Sequence, residues 1–268
     1  MSDLRLSAID LRFGGLQVLR GIELTIEASG ITALIGPNGA GKTSLVNVIT
    51  ATYTPTSGTL DWAGQPLTGI LPHDLPRLGI ARTFQNLEIF WTMSVLDNVM
   101  TAAQTVSPAR LLPSLMKTPA VHRAEGRFRA RALAALERAG LVDYAEREAG
   151  DLSYGHLKRL EIARALALDP RLLLLDEPAA GCNPNETRDL AALIRDLADD
   201  GIGILLIEHD MKLVMSISDR VLVMDRGEII ADGAPGEVQT NPAVIAAYLG
   251  PGLDTPSAGE PARIEVGA

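Results

Sequence analysis

The sequence predicts an α/β fold whose core strands are covered by helices on both faces. Three observations carry this expectation. Ile31 to Ile35 is a short apolar run that ends abruptly in GPNGAGKTS, and helical spacing follows from Lys42 to Ala51. RLLLLDEP, residues 171–178, is a continuous apolar run ending in two acids, the pattern of a strand in a parallel sheet buried on both sides. After Asp151, helix-like and strand-like segments alternate clearly, as they do where helices connect parallel strands.

The elements follow in order. Ile22, Leu24 and Ile26 alternate with Glu23, Thr25 and Glu27, which reads as a half-buried strand. Gly30 punctuates before the Ile31 run. Tyr53 to Gly58 (YTPTSG) is turn chemistry, and TLDWAG returns as another short strand. From Ser94 to about Ala149 the pattern is helical. MSVLDNVMTAA is amphipathic, with Ser94 or Thr92 as its cap. Residues 105–120 hold three prolines and interrupt it. RAEGRFRARALAALERAGL resumes helical spacing and ends near Gly140. Its arginines read as a solvated face with i,i+4 charge pairs rather than a nucleic-acid surface. A further helix spans about Gly155 to Leu168. Asn183-Pro-Asn-Glu186 looks like a helix start, with Asn as cap, Pro at the first position and Glu at the third, and that helix runs to about Asp199. GIGILLIEHD is the next strand. VLVMDRGEIIADG is a hairpin turning at Asp225-Arg226-Gly227. Residues 251–268, rich in Pro, Gly and Ala, are expected to form a flexible tail. No internal repeat is visible.

Composition bounds the function. The 268 residues are 47% hydrophobic, so a packed core is expected. Aromatics make up only 4%, so aliphatic side chains must fill that core. The net charge of −9 argues against a broad nucleic-acid surface, though not against a local cationic nucleotide site. The single cysteine, Cys182, excludes an intrachain disulfide and fits a reducing compartment. It reads as a small buried hydrophobe. The N-terminus lacks the pattern of a signal peptide, and no apolar run approaches the roughly 18–20 residues that span a bilayer. Work at a membrane would require a partner.

Gly36-x4-Gly41-Lys42-Thr43 matches the phosphate-binding loop, and it stands where that loop must, between a strand and a helix. The glycines among Gly36, Pro37, Asn38, Gly39, Ala40 and Gly41 let backbone N–H groups turn inward around phosphate oxygens. The helix N-terminus adds partial positive charge at the same place. Lys42 supplies a point charge for the β- and γ-phosphates, Thr43 a hydroxyl for Mg²⁺, and Ser44 a hydroxyl near the α-phosphate. This motif alone predicts a P-loop NTPase. Asp176 and Glu177 end an apolar strand, where an open α/β sheet binds its ligands. Beside a phosphate loop, Asp176 can hold Mg²⁺ through water, and Glu177 can activate the attacking water as general base. An isolated pair of this kind would be read as a solvated strand end.

Further segments narrow the family. LSYGHLKRLEIARAL, Leu152 to Leu166, resembles the signature segment of ABC transporter ATP-binding subunits, whose usual form is LSGGQ. Gln85 in ARTFQN resembles that family's Q-loop, and His209 in IEHDM its switch histidine. Phe13 in RFGG resembles the aromatic that stacks on adenine. Ala180-Gly181-Cys182-Asn183 falls where the family carries its D-loop. Taken singly, each has a plainer meaning: Ser153 an ordinary helix cap, His209 a structural histidine, Gln85 a solvated loop residue, Phe13 a core side chain. Together they cover about residues 5–250 in the family's order. Tyr154 departs from the signature's middle glycine and His156 from its glutamine, while Ser153 and Gly155 remain.

The resemblance implies a P-loop NTPase ABC nucleotide-binding domain over residues 1–250. It implies a mixed core sheet, an N-terminal antiparallel β subdomain and a helical signature subdomain over about 92–165. It implies Mg²⁺-dependent ATP hydrolysis in a dimer formed head to tail. Phe13, Lys42, Thr43, Gln85, Asp176, Glu177 and His209 of one subunit would face each nucleotide, with Ser153, Tyr154, Gly155 and His156 supplied by the other. Gln85 would join Thr43 and Asp176 at the metal.

RFGGLQVLRGI, ARTFQNLEIF, LLLLDEPAAG, the inserted stretch 105–125 and the closing NPAVIAAYLG look most like the branched-chain amino-acid uptake subfamily. That implies polytopic membrane permease subunits as partners, a homodimer or a heterodimer with a second ABC ATPase, and indirect work with a periplasmic or extracellular solute-binding protein. The place is then the cytoplasmic face of the plasma (inner) membrane, held peripherally. Nucleic acid is not an expected partner. The family docks its membrane subunit near the Q-loop, here Asn86 to Val99, where Leu87, Ile89, Phe90 and Trp91 are either partner contacts or local core. The rival readings are a lipid-export ABC ATPase and a soluble ABC ATPase of DNA repair or cofactor assembly.

Overall fold

The computed structural model describes residues 3–83, 87–105 and 119–249. The chain divides into two compact units, residues 1–74 with 195–268, and residues 75–194.

The first unit holds two sheets. Strands β1 (Leu4–Phe13), β2 (Leu16–Ile26), β4 (Ser57–Trp62) and β5 (Gln65–Pro66) form an antiparallel sheet in the order β2-β1-β4-β5. The alternation read at Ile22, Leu24 and Ile26 is borne out, since all three are buried on the core-facing side of β2. The second sheet is mixed. β3 (Ile31–Ile35) pairs in parallel with β8 (Gly203–Ile207) on one side and β9 (Arg220–Asp225) on the other. β10 (Glu228–Gly233) adds antiparallel to β9. The hairpin between them turns where expected, with Arg226 and Gly227 both at positive φ, 47° and 85°, the geometry of a two-residue hairpin turn that matches strand twist. Every residue of β3 and β8 is buried. Helices α1 (Lys42–Ile49), α6 (Met211–Ile217), α7 (Pro235–Thr240) and α8 (Pro242–Leu249) complete this unit. Val214, Val238 and Val244 from the last three pack with Ala33, Ile35, Val221, Val223 and Ala231 of the sheet in one aliphatic core.

The second unit contains the parallel pair β6 (Ile80–Arg82) and β7 (Leu172–Asp176). It also holds helices α2 (Val95–Thr105), α3 (Pro119–Arg138) and α4 (Tyr154–Leu166). Helix α5 (Pro184–Asp199) begins in it. Between the two candidate caps for α2, Ser94 is the one used: its hydroxyl accepts from Asp97 N–H at 3.0 Å. Asn183 caps α5 as its spacing demands, its Oδ1 accepting from the N–H groups of Asn185 and Glu186 at 2.9 and 3.1 Å. Helix α3 begins earlier than the periodicity suggested, opening at Pro119, a residue suited to a first helical position. The predicted flexible tail, 251–268, lies outside the described residues, as does most of the 105–125 stretch. Among the described residues no helix is long and apolar enough to cross a membrane.

Candidate active site

In the first unit the phosphate loop leaves the end of β3, and the segment carrying His209 leaves the end of β8. These strands are parallel neighbours, with Leu34 opposite Ile207. Both candidates therefore emerge at the carboxyl edge of one sheet, where open α/β sheets take ligands.

The loop is held from several sides. Gly36 has φ 147°, and a Cβ there would stand 2.1 Å from the Met224 carbonyl. Gly41 has φ 105°, with Val18 O 3.1 Å from a hypothetical Cβ. Only glycine fits where backbone approaches backbone so closely at positive φ. The Gly227 N–H of the hairpin turn donates to Ala40 O at 2.8 Å, and Ala40 N–H to Pro37 O at 3.2 Å. Lys42 Nζ donates to the Gly36 and Pro37 carbonyls at 2.6 and 3.1 Å, so the ammonium is folded back over the loop that would cradle phosphate. The first bond inside α1 runs from Leu45 N–H to Gly41 O. The earlier N–H groups belong to the first turn, which has no acceptor within its own helix and is where anions bind at helix starts. Asn38 and Gly39 are exposed at the loop tip, and Thr43 is exposed at the helix start.

One support was not legible in the sequence. Burial, opposed by the backbone of Gly36, pushes the phenol of Tyr248 in α8 up to about 12, so this side chain stands beside the first residue of the loop. Phe13 ends β1 with almost half its surface exposed. It is therefore not a core side chain, and its ring meets Tyr53 edge-on at 5.2 Å. His209 is exposed, and its N–H donates to the buried Glu208 carboxylate at 3.2 Å.

The second unit holds the acids and the signature segment. Asp176 ends β7 and is 8% exposed; Arg82 donates to its Oδ2 at 2.7 Å. Glu177 stands at φ 49°, a conformation rarely taken by a residue with a Cβ and concentrated at functional sites. Ser153 caps α4 by accepting from His156 N–H at 3.3 Å. Tyr154 donates to Ala180 O at 3.1 Å. The Gly155 N–H donates to Glu186 Oε1 at 3.1 Å. Cys182 is half-buried, less enclosed than a core hydrophobe. Gln85 lies outside the described residues.

The segment before α2 divides between core and surface. Ile89 is 7% exposed and belongs to the core, whereas Phe90 and Trp91 are 45% and 49% exposed. Leu87 is half-buried, and Asn86 is outside the described residues. Buried Asn98 fixes the segment by accepting from Phe90 N–H at 2.9 Å and donating to the carbonyls of Phe90 and Ser94 at 3.0 Å each.

The comparisons with known proteins agree with this geometry. The family model described as ABC transporter matches residues 19–180. A second model, described as branched-chain amino acid ATP-binding cassette transporter, matches residues 228–250. The high-affinity branched-chain amino acid transport ATP-binding protein BraF of Pseudomonas aeruginosa is 46% identical over 92% of this chain and 97% of its own length. LivG of Escherichia coli, similarly described, is 45% identical with the same coverage. Among solved structures, a nucleotide-free ATP-binding cassette from an ABC transporter superposes with TM-score 0.81 at 31% identity, covering 94% of this chain and all of that one. The ADP conformation of such a cassette, MJ1267, matches with TM-score 0.81 at 32% identity, over 94% of this chain and all of its own. A phosphate loop braced between strand and helix, a paired-acid strand end and a capped signature helix thus occur in a chain that belongs to the ABC transporter family, as one of its nucleotide-binding, ATP-hydrolysing subunits.

Proposed function

We propose that this chain hydrolyses ATP to drive uptake of branched-chain amino acids, or a related small solute, through polytopic membrane permease partners. The carrying observation is the near-complete overlap, at 45–46% identity, with proteins described as branched-chain amino acid transport ATP-binding proteins. The match of residues 228–250 to the subfamily's own model supports the same reading. The working place is the cytoplasmic face of the inner membrane, where the chain associates peripherally. It acts on solute delivered by a periplasmic or extracellular binding protein that it does not itself touch. Residues 1–250 act as one ATP-binding domain, with a helical subdomain over about 92–165. The exposed Phe90 and Trp91 suit contact with the permease.

In this reading Phe13 stacks on adenine and the loop Gly36 to Ser44 wraps the phosphates. Lys42 leaves the Gly36 and Pro37 carbonyls to meet the β- and γ-phosphates. The Thr43 hydroxyl and the Asp176 carboxylate are hard oxygen donors suited to Mg²⁺, and Gln85 joins them. Bound there, the ion would supply positive charge against the phosphates. Glu177 draws a proton from the attacking water, and His209 holds the γ-phosphate by hydrogen bond. A second subunit, the same chain or a sibling ATPase, supplies Ser153, Tyr154, Gly155 and His156 across a head-to-tail dimer. The γ-phosphate then bridges the subunits, and its loss on hydrolysis separates them, a ligand-driven shift between two states.

Two experiments test this. Glu177→Gln should cut hydrolysis by roughly 10²–10⁴-fold while ATP binding survives; unchanged turnover removes Glu177 from the base role. Gentle extraction of the tagged chain from its native membranes should bring down two polytopic proteins. Recovery with soluble partners alone would sink the transport reading.

A further inference from the structure

The Glu186 carboxylate has two hydrogen-bond partners with different meanings. Its Oε2 accepts from Asn183 N–H at 2.9 Å, which closes the capping box of α5. Its Oε1 instead reaches a different element and accepts from Gly155 N–H at 3.1 Å, at the start of α4. The side chain lies directly on Gly155: a Cβ there would stand 2.7 Å from Glu186 Cγ and 2.9 Å from Oε1. The bare glycine is therefore what admits the carboxylate. Ser153 accepts from His156 N–H, which leaves its hydroxyl able to donate, so of the groups assigned to the partner-bound γ-phosphate it is the Gly155 N–H whose donor is already taken by an anion of its own chain.

We propose that Glu186 is a placeholder for that γ-phosphate, an anion that occupies the Gly155 N–H until ATP on the partner subunit displaces it, and so sets the ATP concentration at which the dimer closes. This rests on the assignment of Ser153 and Gly155 to the partner's nucleotide. A carboxylate and a phosphate are both anionic acceptors, and one N–H at a helix N-terminus cannot serve both at full strength. Their charges also repel at such range. Displacement does not unmake α5, because Oε2 keeps the Asn183 N–H while Oε1 swings away. Part of the γ-phosphate's grip is spent on this exchange. ATP must therefore be more abundant to close the dimer than an unoccupied N–H would require, which guards against closure at low ATP.

The test uses the full-length chain carrying Glu177→Gln, so that ATP should outlast the measurement, and follows ATP-dependent association by sedimentation, with thermal melting alongside. Adding Glu186→Gln or Glu186→Ala should lower the ATP midpoint for association by about tenfold, the scale of one hydrogen bond to a charged group. Glutamine is the gentler change, since it keeps the side chain's size while removing the charge. Asn183→Ala removes the cap's other half and leaves the carboxylate in place, so it should lower the melting temperature without moving the midpoint. If both Glu186 variants only melt earlier, as Asn183→Ala does, and need as much ATP as the parent, Glu186 is a helix cap and the placeholder role is wrong. If the parent itself shows no ATP-dependent association, the assignment of Ser153 and Gly155 fails first, and this inference falls with it.

Discussion

Replacing Glu161 with glutamine should stabilise this protein, and by more as the pH rises. Glu161 lies on α4 and is 7% exposed. Burial pushes its carboxyl up to about 7, against the pull of Lys158, the Glu88 N–H and Arg164; Glu88 itself adds like-charge repulsion. Lys158, 2% exposed, stands 3.8 Å away. In the unfolded chain the group titrates near its ordinary value of 4.5. Between about 4.5 and 7 the folded state therefore holds a proton that the unfolded state has released, and stability falls as pH rises through that window. The full difference corresponds to about 3 kcal/mol, complete only above pH 7. Glutamine resembles the protonated form, so the variant should match the parent near pH 4.5 and exceed it by roughly 1–3 kcal/mol at pH 8. For a chain of this size that is a melting-temperature gain of about 3–9 °C at pH 8. Thermal melts of both proteins from pH 5 to 8 measure it. A difference that stays flat with pH, or a variant that melts lower at pH 8, would show that the attraction to Lys158 and Arg164 outweighs burial and would refute this reasoning.

Other perturbations have equally direct consequences. Gly36→Ala would put a methyl group 2.1 Å from the Met224 carbonyl at φ 147°, so it should cost at least about 2–3 kcal/mol and abolish nucleotide binding; a soluble variant that still binds ATP would contradict this. Tyr248→Phe removes the hydroxyl beside Gly36 and should weaken ATP binding several-fold in a nucleotide titration, with only a small loss of stability. Asp219 accepts from Ile31 N–H at 2.7 Å and from Arg195 at 2.8 Å. Burial raises its carboxyl, but these two partners hold it below its usual value. Its contribution is therefore present above about pH 4 and lost as pH falls below that. Asp219→Ala should lower stability at pH 7 by about 1–2 kcal/mol, a fall in melting temperature that shrinks in acid.

The legible parts of this molecule are those where chemistry is local in the chain. The phosphate loop could be read because strand, glycines, lysine and helix are consecutive, and Asn183-Pro-Asn-Glu186 because a capping box closes within one turn. The hairpin at Arg226 and Gly227 was legible for the same reason. What was hidden depends on approach between distant segments. Nothing in DRGE says that the Gly227 N–H will brace Ala40. Nothing in AAYLG says that the Tyr248 phenol will reach Gly36. The segment before α2 was ambiguous because Ile89, Phe90 and Trp91 are all large side chains with apolar bodies, suited equally to a core or to a partner surface. Only the fold decides that the first turns inward and the other two stay exposed. The positive φ of Glu177 is likewise invisible in the letters DEP, although it falls on the carboxylate on which hydrolysis is proposed to depend.

The departures in the signature segment receive a physical account on the same terms. A tyrosine where the family usually has glycine needs somewhere to put its ring. Gly181, at φ 81°, leaves that space: a Cβ there would stand 3.0 Å from the Tyr154 ring. The hydroxyl then reaches Ala180 O, while the Lys158 ammonium lies 5.7 Å from the ring centre. His156, in place of glutamine, packs its ring 4.7 Å from that of Tyr144. Tyr154 thus ties the signature helix to residues 180 and 181, and Glu186 ties it to α5. The signature of this chain is held by two links, from Tyr154 within it and from Glu186 outside it. Freeing one link should leave the other to hold the helix, so Tyr154→Gly and Glu186→Ala combined should loosen α4 by more than their separate effects add to. Hydrogen exchange at the amides of residues 154–158 measures this, and simple additivity would mean that the two contacts act independently.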